Sequence, residues 1–246
     1  MSKRRAVWLS VAIVGIPPVA GAFPPYRSTD ADTAPLGVLE ARVGIVRMQR
    51  EGDENSYAAP LLRLNLGIAR NMELVSEVEY DREEDQLGDG AIGLKLVAGE
   101  GPLRWGVETL ALLPVNSMHS GVGIESQLVV TWSRAPVRVH FNAGGTYDSR
   151  PSDAERGWRA SMLAEYEHAL GRPGLELFAR QFRGEPAEVQ VGAGWIVPVR
   201  RFELRIGLHA GLTSHAPDLT ASLWFSTQRR LWQSPKEIAG LRSAWR

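Results

Sequence analysis

The chain has no cysteine, which excludes a disulfide framework, a thiolate metal site and a cysteine nucleophile. It has no net charge, with 28 basic residues against 28 acidic ones, so the basic footprint of a nucleic-acid-binding surface is missing. Hydrophobic residues make up 44% of its 246 positions. Even so, beyond the N-terminus no apolar run reaches the ~18 residues a membrane-spanning helix needs. What remains is enough chain for one large all-β domain or two ordinary domains.

The first residues read as a targeting segment. Lys3, Arg4 and Arg5 precede an apolar stretch from Ala6 to Val19, and Ala20-Gly21-Ala22 supplies the small-residue cleavage pattern. Residues 1–22 are therefore expected to be a signal peptide, which places the mature chain in the cell envelope. Residues 23–34 (FPPYRSTDADTA) hold prolines and small polar side chains and predict an irregular lead-in.

From Pro35 onward apolar and polar residues alternate, the period of strands with unlike faces. In LRIGLHAGLTSHAPDLTASLWFS, Leu204, Ile206, Leu208, Ala210 and Leu212 form one face while Arg205 and His209 sit on the other. Leu219, Ala221, Leu223 and Phe225 then resume the row. About twelve such segments can be read, including Leu62–Ile68 around Arg63 and Asn65, Ile92–Leu96 around Lys95, and Val137–Ala143 around Arg138, His140 and Asn142. The segment Leu175–Phe182 is the least regular.

A soluble sandwich would also alternate. Two features favour a closed antiparallel transmembrane barrel over residues 35–227. Links alternate in length: Arg50–Ser56, Asp81–Gly88, Asn116–Val122, Asp148–Arg156 and Thr213–Pro217 are long, and Ala69–Arg70, Gly99–Pro102, Ser133–Ala135, Ala169–Gly174 and Pro198–Arg201 are short. Outer-membrane barrels have short periplasmic turns and longer outer loops, so both termini are expected in the periplasm. Aromatics also sort by strand end. Trp105, Trp132, Tyr166, Trp195, Phe202 and Phe225 adjoin the short turns or the C-terminus, and Tyr80, Tyr147 and Trp158 lie at the other ends, as two headgroup girdles would. By parity Tyr57 falls on the wrong face and Trp224 points inward.

Motifs for chemistry are sparse. Gly88-Asp89-Gly90-Ala91-Ile92-Gly93 matches a dinucleotide fingerprint, but alternating strand residues follow it where a helix should. His140 and Asn142 share an inward face and no G-x-S-x-G accompanies them. His209 points inward, His215 lies in a loop, and His119 and His168 flank strands, without metal-ligand spacing. No catalytic residue, metal or cofactor is expected. The inward charges Glu40, Arg42, Arg63, Glu73, Glu77, Glu79, Lys95, Glu108, Glu125, Arg138, Arg159, Glu165, Glu167, Arg180, Glu188, Glu203 and Arg205 form a ladder of mixed sign. It serves equally as salt bridges that hold a small barrel together and as the lining of a solute path without strong ion selectivity. Arg138, His140, Asn142, Arg205, His209, Glu108 and Glu125 are the candidate lining residues. Residues 228–246 extend past the last strand. Ser234-Pro235 followed by Ile238, Leu241 and Trp245 predicts either a short amphipathic helix at the periplasmic face or a frayed tail.

Three stretches carry a resemblance. GDGAIGLKLVAGEGPLRWGVETLALLPV (Gly88–Val115), VRVHFNAGGTYD (Val137–Asp148), and the closing strands from LELFARQF to Ser226 resemble the outer-membrane barrel family of the phenol-degradation (MetA) pathway. Leu113-Pro114 is followed by Val115-Asn116 where that family has Thr-Gly, and the chain runs on past the last strand. The resemblance implies an outer-membrane barrel that passes small, aromatic compounds, and it brings no catalytic residues with it. The leading expectation is a barrel that passes or binds a small solute. The alternatives are a closed structural or interaction barrel and an outer-membrane lipid-modifying enzyme. The expected partners are outer-membrane lipid, a small-molecule solute and, during biogenesis, the barrel-assembly machinery.

Overall fold

The computed structural model describes residues 24–82, 86–88, 90–114, 121–151 and 154–232. The expected signal peptide and the proposed tail helix lie outside the described residues.

Twelve long strands form one antiparallel sheet: β1 Val38–Glu51, β2 Glu54–Ala69, β3 Met72–Asp81, β4 Gly90–Ala98, β5 Leu103–Leu113, β6 Gly123–Arg134, β7 Val137–Asp148, β8 Glu155–Tyr166, β9 Arg172–Phe182, β10 Glu188–Val199, β11 Phe202–Gly211 and β12 Leu219–Arg230. A two-residue ribbon, Gln86–Leu87, adds to the end of β3. Each strand pairs with its sequence neighbour, and β1 pairs with β12, so the sheet closes on itself. Closure removes the unpaired edges that lipid could not satisfy. The start of β1, the end of β12 and the short turns share one end of the barrel, and the longer connections share the other.

The alternation sets the two faces. Ile92, Leu94, Val107, Leu128, Phe141, Met162, Leu177, Val191, Ile206 and Leu208 are exposed on the outside, on consecutive strands, as an apolar belt far beyond what a water-facing surface tolerates. Trp105, Trp132, Tyr166, Trp195, Phe202 and Phe225 ring the short-turn end on the same face, and Tyr57, Tyr147 and Trp158 ring the loop end. The lumen face holds Arg42, Arg63, Lys95, Glu73, Glu108 and Arg205, all buried.

Three expectations change. The link Arg50–Ser56 is not a long loop: β1 and β2 continue as a hairpin in which only Gly52 and Asp53 lie between the strands. The chain is polar there but still pairs, with Arg50 opposite Asn55 and Glu51 opposite Glu54. Tyr57 lies on the apolar face after all. A bulge in β1 between Gly44 and Val46 is matched by an irregularity between Ala58 and Leu61 in β2, and together they reverse the parity of both strands beyond that point. The same bulge turns Arg47 into the lumen, where it pairs with Glu79 at 2.8 Å; strict alternation would have pointed Arg47 at lipid. Glu167 is not a lumen residue. It is exposed in the turn after β8, where its backbone N–H donates to the Pro136 carbonyl at 2.7 Å.

Candidate functional site

Residues 24–35 do not lie outside the barrel. They thread its interior in the short-turn half, and Tyr26, Ser28, Thr29, Asp30, Ala31 and Ala34 are all nearly inaccessible. The segment forms no strand, so its backbone groups must find partners elsewhere. Side chains of the barrel wall supply them. Glu176 accepts from the Arg27 N–H at 2.8 Å and from the Ser28 N–H and Oγ at 2.5 Å. Asn142 accepts from the Thr29 N–H at 2.7 Å and donates to the Thr29 carbonyl at 2.9 Å. Thr131 accepts from the Ala31 N–H at 2.8 Å, and Glu73 from the Ala34 N–H at 2.7 Å. Arg205 donates to the Pro24 carbonyl at 2.9 Å.

Charge pairing adds to these contacts. Asp30 meets Lys95 at 3.3 Å and Arg138 at 3.6 Å, and Lys95 also reaches Glu73 at 3.7 Å. Asp32 accepts from Arg138 at 2.5 Å and from Arg104. Ions taken this far from water are tolerable only when paired and hydrogen-bonded. Two apolar seats complete the fit: Tyr26 packs on Leu163 and Ile196, and Ala31 packs on Val97 and Val129. Gly174 and Gly194 are needed opposite Tyr26, because a Cβ at either position would run into its ring.

All seven candidate lining residues face the lumen, but the structure divides them. Arg138, Asn142 and Arg205 hold the inner segment directly. His209 acts through Glu176, to which its Nε2 is hydrogen-bonded at 2.8 Å. His140 acts through Thr131. If Glu165 is ionised, a consistent chain runs from the Ala31 N–H to Thr131 Oγ1, from that hydroxyl to His140 Nδ1 at 2.8 Å, and from His140 Nε2–H to Glu165 at 2.9 Å. Thr131, His140 and Glu165 match a hydrolase triad only in composition. All three are buried, and Thr131 is engaged by the segment above it. Glu108 and Glu125 belong to the wall alone. Glu108 accepts from Arg63 at 3.0 Å and Gln127 at 2.9 Å, and Glu125 accepts from Arg159 at 2.5 Å.

Toward the loop end the lumen is wetter. Arg47–Glu79, Arg159–Glu125 and Arg180–Glu188 pair at 2.8, 2.5 and 2.9 Å, and all six side chains keep contact with solvent. Arg63 pairs with Glu77 on the same wall. The result is a charged cup whose floor is the inner segment.

No protein-family model matches the sequence, and no curated protein matches it either. Solved structures do. The COG4313 outer membrane channel from Pseudomonas putida F1 superposes with a TM-score of 0.61 at 11% identity, over 81% of this chain and 98% of that one. The KdgM porin gives 0.52 at 11% identity, over 78% and 97% of the two chains. The KdgM porin in complex with disordered oligogalacturonate gives 0.54 at 10% identity over the same shares. The fold is that of outer-membrane barrel channels.

Glu176 and the residues of the inner segment were not among the sequence candidates. Glu176 was hidden because Phe178 occupies the next inward position, which makes β9 look irregular. A signal for the segment did exist. Val97, Val129, Leu163 and Ile196 are apolar residues on the lumen face, all buried. Inward aliphatics among charges require something to cover them, and the nearest chain left over from the strands is the lead-in.

Proposed function

We propose that this protein is an outer-membrane channel for a small solute, closed at rest by residues 24–35 and opened when that segment leaves the lumen. In this reading the short turns and both termini face the periplasm and the longer loops face outward. The observation that carries it is how the segment is held. Its N–H groups at Arg27, Ser28, Thr29, Ala31 and Ala34 are all bonded by barrel side chains rather than by a strand. The segment can therefore depart without breaking any sheet pairing. The apolar belt and its aromatic rings support the membrane location, and the channel folds of the structural neighbours support passage. The resemblance of Gly88–Val115 and Val137–Asp148 to barrels of the phenol-degradation (MetA) pathway points to small aromatic compounds as cargo. The charged cup asks that such a cargo also carry polar groups.

The filled lumen equally favours a second reading, a closed barrel with a structural or interaction role. Planar-bilayer conductance separates the two. Wild type is expected to show rare, small openings, and Asp30→Asn/Asp32→Asn frequent and larger ones. Silence from wild type, from this variant and from a chain lacking residues 24–35, all of them folded, would leave the structural reading standing.

A further inference from the structure

The floor of the loop-end cup is built around Arg27. Its guanidinium stacks over the Phe178 ring at 5.6 Å, and that of Arg159 stacks over the same ring at 5.5 Å. Arg159 also donates to the Arg27 carbonyl at 2.9 Å, which ties the two residues together. Arg180 is the register partner of Arg159 across β8 and β9, so a third guanidinium belongs to the same wall. Arg159, Arg180 and nearby Arg47 each have a carboxylate of their own. Among the described residues the Arg27 guanidinium has none. Glu176, the carboxylate whose charge acts on it, is already committed to backbone N–H groups, Ser28 and His209.

Burial, followed by the guanidiniums of Arg47, Arg180 and Arg159, pulls Arg27 down to about 10 from the ordinary arginine value, and it remains charged at neutral pH. A cation held against other cations, without its own acid and beside wall pairs that keep contact with solvent, is an anion site by charge. The contact with the Phe178 ring steadies the Arg27 guanidinium, and a guanidinium fork matches a two-oxygen acceptor.

We propose that the cup binds a small organic carboxylate, with Arg27 as its principal donor and Arg159 and Arg180 as flanking charges. Because Arg27 belongs to the closing segment, a carboxylate bound there contacts the gate itself. The site deepens the channel reading but does not require flux, so the two can fail separately.

The test is calorimetric titration of the full chain, refolded in detergent micelles, with benzoate, its neutral analogue benzamide, and inorganic phosphate. Wild type is expected to bind benzoate, to ignore benzamide, and to bind phosphate more weakly. Arg27→Gln should lose about tenfold or more in benzoate affinity, the range for a charge-assisted hydrogen bond, and Arg27→Lys should keep part of it. The heat-modifiable gel shift of each variant reports folding, and Tyr57→Phe on the outer face serves as a folded comparison. Equal benzoate binding by wild type and folded Arg27→Gln overturns the proposal. So does equal binding of benzamide, which removes the charge, or tighter binding of phosphate, which removes the carboxylate class. Absence of benzoate binding by folded wild type overturns it as well, whatever the conductance shows.

Discussion

The two halves of the lumen are built from the same residue types and behave differently. In the short-turn half the side chains of Arg205 and Lys95 are 0% and 2% exposed. In the loop-end half those of Arg47 and Arg180 are 28% and 40% exposed. Both halves pair arginine or lysine with glutamate. The difference comes from the irregular chain of residues 24–35, which packs into the short-turn half and meets the loop-end half at Arg27. Where that chain lies, each wall charge is counted against a desolvated partner; where it stops, water screens the pairs and their individual worth falls. An ion-pair ladder therefore has no fixed meaning, because its energetics depend on what else fills the barrel.

Four substitutions would break or sharpen this contrast. Glu176→Ala removes the acceptor of the Arg27 and Ser28 N–H groups and the partner of His209 in one step. A cost of about 3–5 kcal/mol is expected, the range for stranding a buried partner, read as the loss of amide-exchange protection across residues 24–35. Unchanged protection would mean that the segment is not held by wall side chains. Tyr26→Ala empties the seat on Leu163 and Ile196. It should cost about 3 kcal/mol, the low end for truncating a buried aromatic, and should release the segment while leaving the barrel's heat-modifiable mobility intact. If the barrel unfolds along with the segment, the two are one cooperative unit and the gate is not separable.

Leu208→Arg tests the outer face against the inner one, since Arg205 three residues earlier is at home in the lumen. A loss of about 2–4 kcal/mol in urea unfolding from lipid vesicles is expected if the belt sits at mid-bilayer. A neutral result would argue that this face meets water. Arg180→Ala should have the smallest effect. The half-exposed pair with Glu188 is worth at most about 1 kcal/mol, and unfolding midpoints should barely move. A large loss there would show that the loop-end half is as dry as the other.

Much of the barrel was legible in the chain. The Leu204–Leu212 row, the inward Arg205 and His209, and the sorting of Trp105, Trp132 and Trp195 to one end all follow from a period of two and a solvent with two interfaces. What escaped were the places where the period slips. Tyr57 and Arg47 exchange faces at a bulge, and no rule of alternation announces a bulge in a polar-apolar row. The candidate site was legible only as a lining. Arg138, His140, Asn142, Arg205 and His209 were all found on the lumen face, but what they hold was not.

The alternation on its own determined that these strands must present one face to an apolar medium and one to a polar interior, because a slip of one residue would put Arg205 into lipid. Tertiary structure alone decided that PPYRSTDADTA is the filling of that interior. A segment without periodicity has no face to read. Its place is chosen by Val97, Leu163, Glu176 and Asn142, which come together around it only when the sheet closes.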